Sequence, residues 1–423
     1  MDFAAAGRFL LRQQRFGWKF GLGPMRRSLA RLGHPELVFP SVVVAGSKGK
    51  GSTSAFLEAI LLAAGHPAGL YTSPHLVSIR ERIRLGGSQI TEAEFARVIT
   101  GLRRRLGGGA RLTHFEWLTL AAIVHFAGRG ASPAVLEIGL GGRLDAVNAV
   151  DGMLTVITGI EREHEELLGT RLGAIAAEKA GIMRAGVTCL IGDVRPAARR
   201  ALAACARRAG SLPVWLEREA SWTIAGHDPR GLRLDLVTSR ARYQGLRLGL
   251  LGRHQAHNAA LAVLAAERLG EQDLPIPAAA IRDGLARTRW PGRCDYRPGR
   301  PGLLLDGSHT AGSAQALAGL LAEVFPRRRI ALVFGALRDK RVEAMAGALF
   351  PLAASVQLVR APEERGLEPP ELLSRTPGEL RGRCRLAPEI PVAMELARRA
   401  AGPRGLVVVA GSLFLVGEVL SRH

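Results

Sequence analysis

Cysteine is scarce in this chain of 423 residues: Cys189, Cys205, Cys294 and Cys384 are far apart and form no C-x-x-C pair. That argues against a zinc site and for reduced thiols in a cytoplasmic setting. Lysine is nearly as rare, with five against 53 arginines, so each lysine invites a question that arginine cannot answer. Aromatic residues make up only 5% and are not interleaved with the basic ones. Without such stacking platforms, the net charge of +21 reads as scattered arginine rather than as a nucleic-acid surface. No apolar run reaches the roughly 18 residues of a membrane-spanning helix. The nearest, 405–420, is interrupted by Ser412 and Glu418. The opening MDFAAAGRFLLRQQRF lacks the basic start and long apolar core of a secretion signal. The length exceeds one ordinary core, so two domains are expected.

What the chain does contain centres on residues 42–62, VVVAGSKGKGSTSAFLEAILL. Val42, Val43 and Val44 read as a buried strand. A glycine-rich turn follows, Gly46-Ser47-Lys48-Gly49-Lys50-Gly51-Ser52, and then an apolar pattern at helical spacing. Strand, glycine loop and helix form a phosphate cradle, because loop and helix-start N–H groups point at the anion. Lys50 would sit on the β/γ-phosphates and the Ser52 or Thr53 hydroxyl on Mg²⁺. The spacing G-x-x-G-K-G-S is shorter than the strict G-x4-G-K-[ST] pattern, and an ordinary tight turn is the competing reading.

Strands alternate with helices along the chain, which calls for an α/β fold with a mostly parallel sheet and helices on both faces. Strands are expected near 42–44, 69–72, 134–138 and 154–158, with 80–87 as a polar connector. Thr91 with Glu94 forms a helix-capping pattern. Residues 213–251 alternate in short runs and suggest a small antiparallel appendage. The Pro-, Gly- and Arg-rich stretch 290–302 is the expected boundary, giving domains 1–297 and 298–423. Beyond it the alternation restarts in a smaller α/β unit, with strands near 303–305, 330–334, 355–358 and 406–409. Ligands of such sheets sit at the carboxyl ends of strands. The polar clusters after Val44, Thr72, Ile138 and Thr158 all fall there.

Several positions in these clusters carry chemistry, each with a plainer alternative. Glu137 could hold Mg²⁺ or simply pair with Arg143. His164, among glutamates, could ligate a second metal or be a solvated histidine. Ser73 could be a hydroxyl ligand or turn chemistry. Lys179, after Glu178, could be a surface residue, or an amine that takes up CO₂ as a carbamate to supply an anionic oxygen. Asp306 and His309 are expected to point into a cleft between the domains, with Arg293 reaching an ATP phosphate. A helix-cap aspartate, a turn histidine and a linker arginine are their alternatives.

Taken together, the motifs AGSKGKGS, YTSPHL with RERI, EIGLGGRLDAVN, EKAGI, GRHQAHNAA, WPGR, LDGSH and GALRDK resemble the folylpolyglutamate synthase/dihydrofolate synthase branch of the Mur ligase family. The likeness runs through nearly the whole chain. It implies that Ser47, Lys48, Gly49, Lys50, Gly51 and Ser52 hold the ATP phosphates. It implies that Ser73, Glu137 and His164 bind two Mg²⁺ ions, and that Lys179 is an N6-carboxylysine. Asn258, Arg293, Asp306 and His309 would contact the nucleotide from both sides of the cleft. Thr113, His114, Phe115, Glu116, Leu144, Asp145 and Ala146 would line the pterin-side pocket. Lys50, Lys179, Arg293 and His164 would serve catalysis. The chain departs from the family's usual GTNGKGS at Ser47 and Lys48. It has Glu163-His164 for Asp-His, and Asp306-Gly307-Ser308-His309-Thr310-Ala311 for DGAHNP.

The reaction so implied is ATP-dependent amide formation, adding L-glutamate to dihydropteroate, to a reduced folate, or to both through an acyl phosphate. The implied enzyme is a cytoplasmic monomer with no nucleic-acid or membrane partner. Another Mur-type ligase acting on a cell-wall precursor is the nearest rival. A basic nucleic-acid-binding ATPase is a more distant one.

Overall fold

The computed structural model of the chain describes residues 1–13, 21–107, 111–162 and 169–422. Eight strands build the large sheet: β1 (Ser41–Ala45), β2 (Gly69–Tyr71), β3 (Ile83–Leu85), β4 (Ser88–Gln89), β5 (Ala134–Glu137), β6 (Leu154–Ile157), β7 (Thr188–Ile191) and β8 (Leu212–Trp215). Their order is β4-β3-β2-β5-β1-β6-β7-β8, so β1 lies inside the sheet with parallel neighbours on both sides. Its composition explains that place. Val42 and Val44 belong to one apolar cluster, and Val43 and Ala45 to the cluster on the opposite face. A strand covered on both faces needs apolar residues at every position, because successive side chains alternate sides.

Two expectations are corrected here. Residues 80–87 are not merely a connector: Ile79–Arg82 is a short 3-10 turn, and β3 and β4 add an antiparallel edge to the sheet. Residues 213–215 do not belong to the appendage, because β8 pairs in parallel with β7 as the outermost strand. The appendage itself is present as an antiparallel sheet of β9 (Ala220–Asp228), β10 (Gly231–Thr238) and β11 (Arg242–Leu248). Its apolar side shares a core with the helices Lys50–Ala63 and His254–Gly270.

The C-terminal sheet comprises β12 (Asp295–Arg297), β13 (Gly302–Leu305), β14 (Ile330–Phe334), β15 (Ser355–Leu358), β16 (Cys384–Leu386) and β17 (Leu406–Ala410). It is ordered β12-β13-β17-β14-β15-β16 and is parallel except for β12. The architecture is therefore the expected one: a mostly parallel sheet with helices on both faces, joined to a smaller α/β unit. Among the described residues, no helix is long and apolar enough to cross a membrane.

One buried charge ties the phosphate-loop helix to the sheet edge. Glu58 is 2% exposed and lies 3.1 Å from Arg84 of β3. Burial outweighs the attraction of Arg84 and pushes the Glu58 carboxyl up from 4.5 to about 7. Folding therefore takes up a proton between those values. The stability from this group is present at low pH and is lost as pH rises through about 7, by about 1.4 kcal/mol per pH unit. Thermal melts of the wild type and Glu58→Gln should show the wild type gaining on the variant between about pH 8 and about pH 6. A difference that does not change with pH would refute this account.

Candidate active site

The loop after β1 carries the cradle. Gly49 precedes the helix Lys50–Ala63 with φ +84°, and a Cβ there would stand 2.4 Å from Asn258 Oδ1. The position therefore demands glycine, and Asn258 closes over the loop from the helix His254–Gly270. Asn258 Nδ2 donates to Gln255 Oε1 at 2.9 Å, and Gln255 Nε2 donates to the Ser52 hydroxyl at 3.4 Å. Trp290, from the linker, stands against Gly51. Neither Gln255 nor Trp290 was singled out by sequence. Both lie in quoted motifs, GRHQAHNAA and WPGR, whose spacing gave no chemical role to either.

The Gly46 carbonyl oxygen gathers two amines. Lys50 Nζ donates to it at 2.9 Å and Lys179 Nζ at 3.0 Å. Lys179 is 1% exposed, so its surface alternative is wrong. It arrives from the helix Leu172–Lys179, whose last turn packs against the 139–145 loop. A Cβ on Gly142 would meet Lys179 Cα at 2.9 Å. Ser47 knits the loop to the segment after β6. Its hydroxyl donates to Glu161 O and accepts from Glu161 N–H, both at 3.0 Å. Lys48 pairs with the Glu161 carboxylate and lies beside Gly312 of the C-terminal unit.

Glu137 ends β5 directly beside Val44. It is buried, and Ser73 N–H donates to its Oε2 at 3.3 Å. Burial raises its carboxyl to about 6, against the pull of Lys50, the Ser73 N–H, Arg293 and Arg82. The alternative pairing with Arg143 does not occur, because Arg143 binds Glu178 through Nε at 3.0 Å and Nη2 at 2.8 Å. Arg293 thus brings positive charge from the linker towards Glu137 and the loop. Asp306, after β13, accepts from Cys294 N–H at 2.8 Å and Ser308 N–H at 2.9 Å. Its first task is therefore to pin the linker beside Arg293. His309 Nδ1 lies 2.8 Å from Gly307 O, so Nδ1 carries the ring proton and Nε2 is the acceptor when the ring is neutral. Burial lowers the pKa of that ring and favours the neutral form. His254 was not proposed from the sequence. It is exposed at the rim of the site, in the same electrostatic neighbourhood as Asp306, Arg293 and Lys48.

The pterin-side candidates divide. Thr113 and Glu116 cap the helix His114–Arg129: Thr113 N–H donates to Glu116 Oε2 at 2.7 Å, and Glu116 N–H to Thr113 Oγ1 at 3.2 Å. His114 Nδ1 lies 3.1 Å from Leu10 O. Phe115 packs against Gly139 and faces Tyr71, with ring centroids 6.0 Å apart. Asp145 accepts from the N–H groups of Gly139, Leu140 and Val147, and burial still lifts its carboxyl to about 6. Leu144 and Ala146 flank it in the same turn. Phe115 and the Asp145 turn come together beside Gly139, next to Glu137. Thr113 Oγ1 and Glu116 Oε2 are engaged in the cap.

The residues fit a magnesium ion. Glu137 offers a buried carboxylate at a strand end, and Ser52 and Ser73 are hydroxyl residues beside the loop and beside Glu137, an all-oxygen set that suits Mg²⁺. Among the described residues no group of three His, Cys, Asp or Glu side chains could hold a metal. Mg²⁺ does not require one, since it uses one or two protein ligands together with phosphate oxygens and water. His164 lies outside the described residues.

A phosphate cradle at the carboxyl end of a parallel sheet, faced by a second α/β unit whose linker supplies an arginine, defines a two-unit nucleotide-using enzyme. Residues 44–266 match the Mur ligase middle domain, and residues 292–413 match the Mur ligase glutamate ligase domain. The dihydrofolate synthase/folylpolyglutamate synthase of Bacillus subtilis is 32% identical, over 96% of both chains. The Escherichia coli FolC structure, in complex with DHPP and ADP, superposes with a TM-score of 0.86 at 30% identity, covering 100% of this chain and 97% of that one. A bifunctional folylpolyglutamate synthase/dihydrofolate synthase of Yersinia pestis, complexed with AMPPNP and Mn, gives a TM-score of 0.88 at 29% identity, covering 100% and 98%. The chain belongs to the folylpolyglutamate synthase/dihydrofolate synthase branch of the Mur ligase family.

Proposed function

We propose that this chain is a cytoplasmic ATP-dependent ligase that joins L-glutamate to dihydropteroate, to a reduced folate, or to both. The observation that carries the reading is the convergence on one loop. Lys50 and Lys179 meet at the Gly46 carbonyl, beside Glu137 and within the field of Arg293. Residues 1–297 would bind ATP and the pterin, and 298–423 would close over the cleft. The complexes of relatives with ADP and DHPP, and with AMPPNP and Mn, support this substrate set.

A carboxylate is a poor acylating agent, so it must first acquire a leaving group. The substrate carboxylate attacks the γ-phosphate of ATP, the bond to the β,γ-bridging oxygen breaks, and an acyl phosphate and ADP result. The amine of glutamate then attacks the acyl carbon and expels phosphate. The protein's part is positioning and charge neutralisation. The loop N–H groups hold the phosphates. Lys50 and Arg293 balance the charge that spreads over the transferring group. Glu137, Ser73 and Ser52 would hold Mg²⁺, which offsets phosphate charge when bound. Asn258 keeps the loop shut from above, and the facing C-terminal unit excludes water from the acyl phosphate. A carbamate on Lys179 would place an anionic oxygen beside that metal position.

The test is phosphate release with dihydropteroate and with tetrahydrofolate in separate reactions, each with and without glutamate. Release should require both acceptor and glutamate. Absence of glutamate-dependent release with either acceptor would overturn the reading, and stimulation by DNA or RNA instead would favour the nucleic-acid ATPase.

A further inference from the structure

Leu250 and Leu251 are neighbours that belong to different cores. Leu250 packs in the cluster that holds the phosphate-loop helix residues Phe56, Leu57 and Ile60. Leu251 packs in the C-terminal cluster, which includes Leu317, Leu320 and Leu321 of the helix Ala311–Val324. The side chains of two successive residues therefore enter the cores of both units.

The next residues fasten that junction. Gly252 has φ +109°, and a Cβ there would stand 2.5 Å from the His254 ring, so only glycine fits. Its N–H donates to His227 Nε2 at 3.1 Å. Arg253 turns outward and binds Glu323, on the helix Ala311–Val324, through Nε and Nη2 at 2.9 Å each. Two parallel bonds fix orientation as well as distance. Glu323 Oε2 also lies 3.1 Å from His227 Nδ1, off the line of a hydrogen bond. With Nε2 accepting from Gly252, the neutral ring carries its proton on Nδ1, the side that faces Glu323. One carboxylate of the C-terminal unit is thus held by an arginine of the other and faces a histidine whose side chain is buried.

The same turn borders the active site. His254 lies near Asp306, Arg293 and Lys48, and Asn258, one helical turn on, covers Gly49 of the phosphate loop. A shift of the helix Ala311–Val324 would pull on Arg253 and so displace both.

We propose that Leu251, Arg253, His227 and Glu323 form a clamp that sets the C-terminal unit over the phosphate loop, with Arg253 and Glu323 as positioning residues for the ligase reaction. The inference rests on the ligase reading above. The clamp acts at a distance from the reacting atoms, through Leu251 as an apolar peg and Glu323 as the gripped anion. Its purpose is to keep the acyl phosphate dry while glutamate attacks.

The test is charge exchange. Arg253→Glu, Glu323→Arg and the two combined are compared with wild type for ATP KM, kcat, melting temperature and phosphate released per glutamate joined. Each single reversal should lower kcat/KM for ATP by about fivefold or more, the range of a well-aligned exposed pair with added repulsion. Each should also raise the ratio of phosphate to glutamate above one, because water reaches the acyl phosphate. The combined variant should restore both to near wild type. A merely structural role would lower the melting temperature and scale phosphate release and product together, leaving the ratio at one. Single variants with wild-type ratio and KM, or a combined variant no better than the worse single one, would overturn the clamp. If the wild type shows no glutamate-dependent release, the ligase reading fails alone. The clamp is then judged on the same four proteins by their Kd for a nonhydrolysable ATP analogue, where unchanged values overturn it and loss with restoration sustains it.

Discussion

Lys179→Arg is expected to abolish glutamate-dependent phosphate release, a fall of about 10²–10³-fold or more in kcat. Lys179 is buried at the end of its helix, and its amine reaches Gly46 O at 3.0 Å. Arginine keeps the positive charge but replaces a compact amine with a wider planar group. Two causes would give the same loss, misfit and the absence of an amine able to carry a carbamate. Lys179→Ala separates them. If the lysine serves as a carbamate, acetate or another short carboxylate should restore part of the alanine variant's activity by filling the space with an anion. A fully active Lys179→Arg would sink the carbamate assignment, and an alanine variant with no response to carboxylates would leave packing as the role of Lys179.

Glu137→Gln should remove activity to a similar extent, about 10²–10³-fold, without a loss of stability at pH about 8. The carboxyl is raised from 4.5 to about 6 by burial, so the fold disfavours its ionised form. The sign follows directly: the stability from this group is full below 4.5 and is lost as pH rises through about 6. Above that pH a neutral glutamine should leave the fold equally stable or stabler by up to about 2 kcal/mol. A carboxylate kept at a cost to folding and needed for turnover is the behaviour of a group retained for function. The measurements are melting temperature and phosphate release across a Mg²⁺ titration. Retention of activity within about tenfold of wild type would remove Glu137 from the metal position.

The two substitutions also mark how far the sequence could be read. Glu137 was legible because it ends an apolar strand, and in parallel sheets strand ends face the ligand. Its partner was not. Arg143 is six residues away and seemed available, yet the loop directs it to Glu178. Thr113 and Glu116 were assigned to the pterin-side pocket by the resemblance alone, and their role as the cap of the helix His114–Arg129 emerged only from the bonds. Residues 213–215 looked like part of the antiparallel appendage because Pro-Val-Trp has strand character without saying which sheet it joins. Parallel pairing with β7 is settled by the helix Pro196–Ala209 between them, which carries the chain back across the sheet.

What the sequence determined by itself is local: the valine strand, the glycine loop, the lysine at the helix start and the alternation of strands with helices. Backbone conformation, side-chain periodicity and helix-end charge act over a few residues, so they are written in adjacent positions. Convergence came from packing alone. Lys179 stands 133 residues from Gly46 and meets Lys50 at the same oxygen. Leu251 enters a different core from Leu250, and Glu323 reaches back to Arg253 across 70 residues. Such contacts depend on how whole elements pack, and no short-range spacing in the chain encodes them.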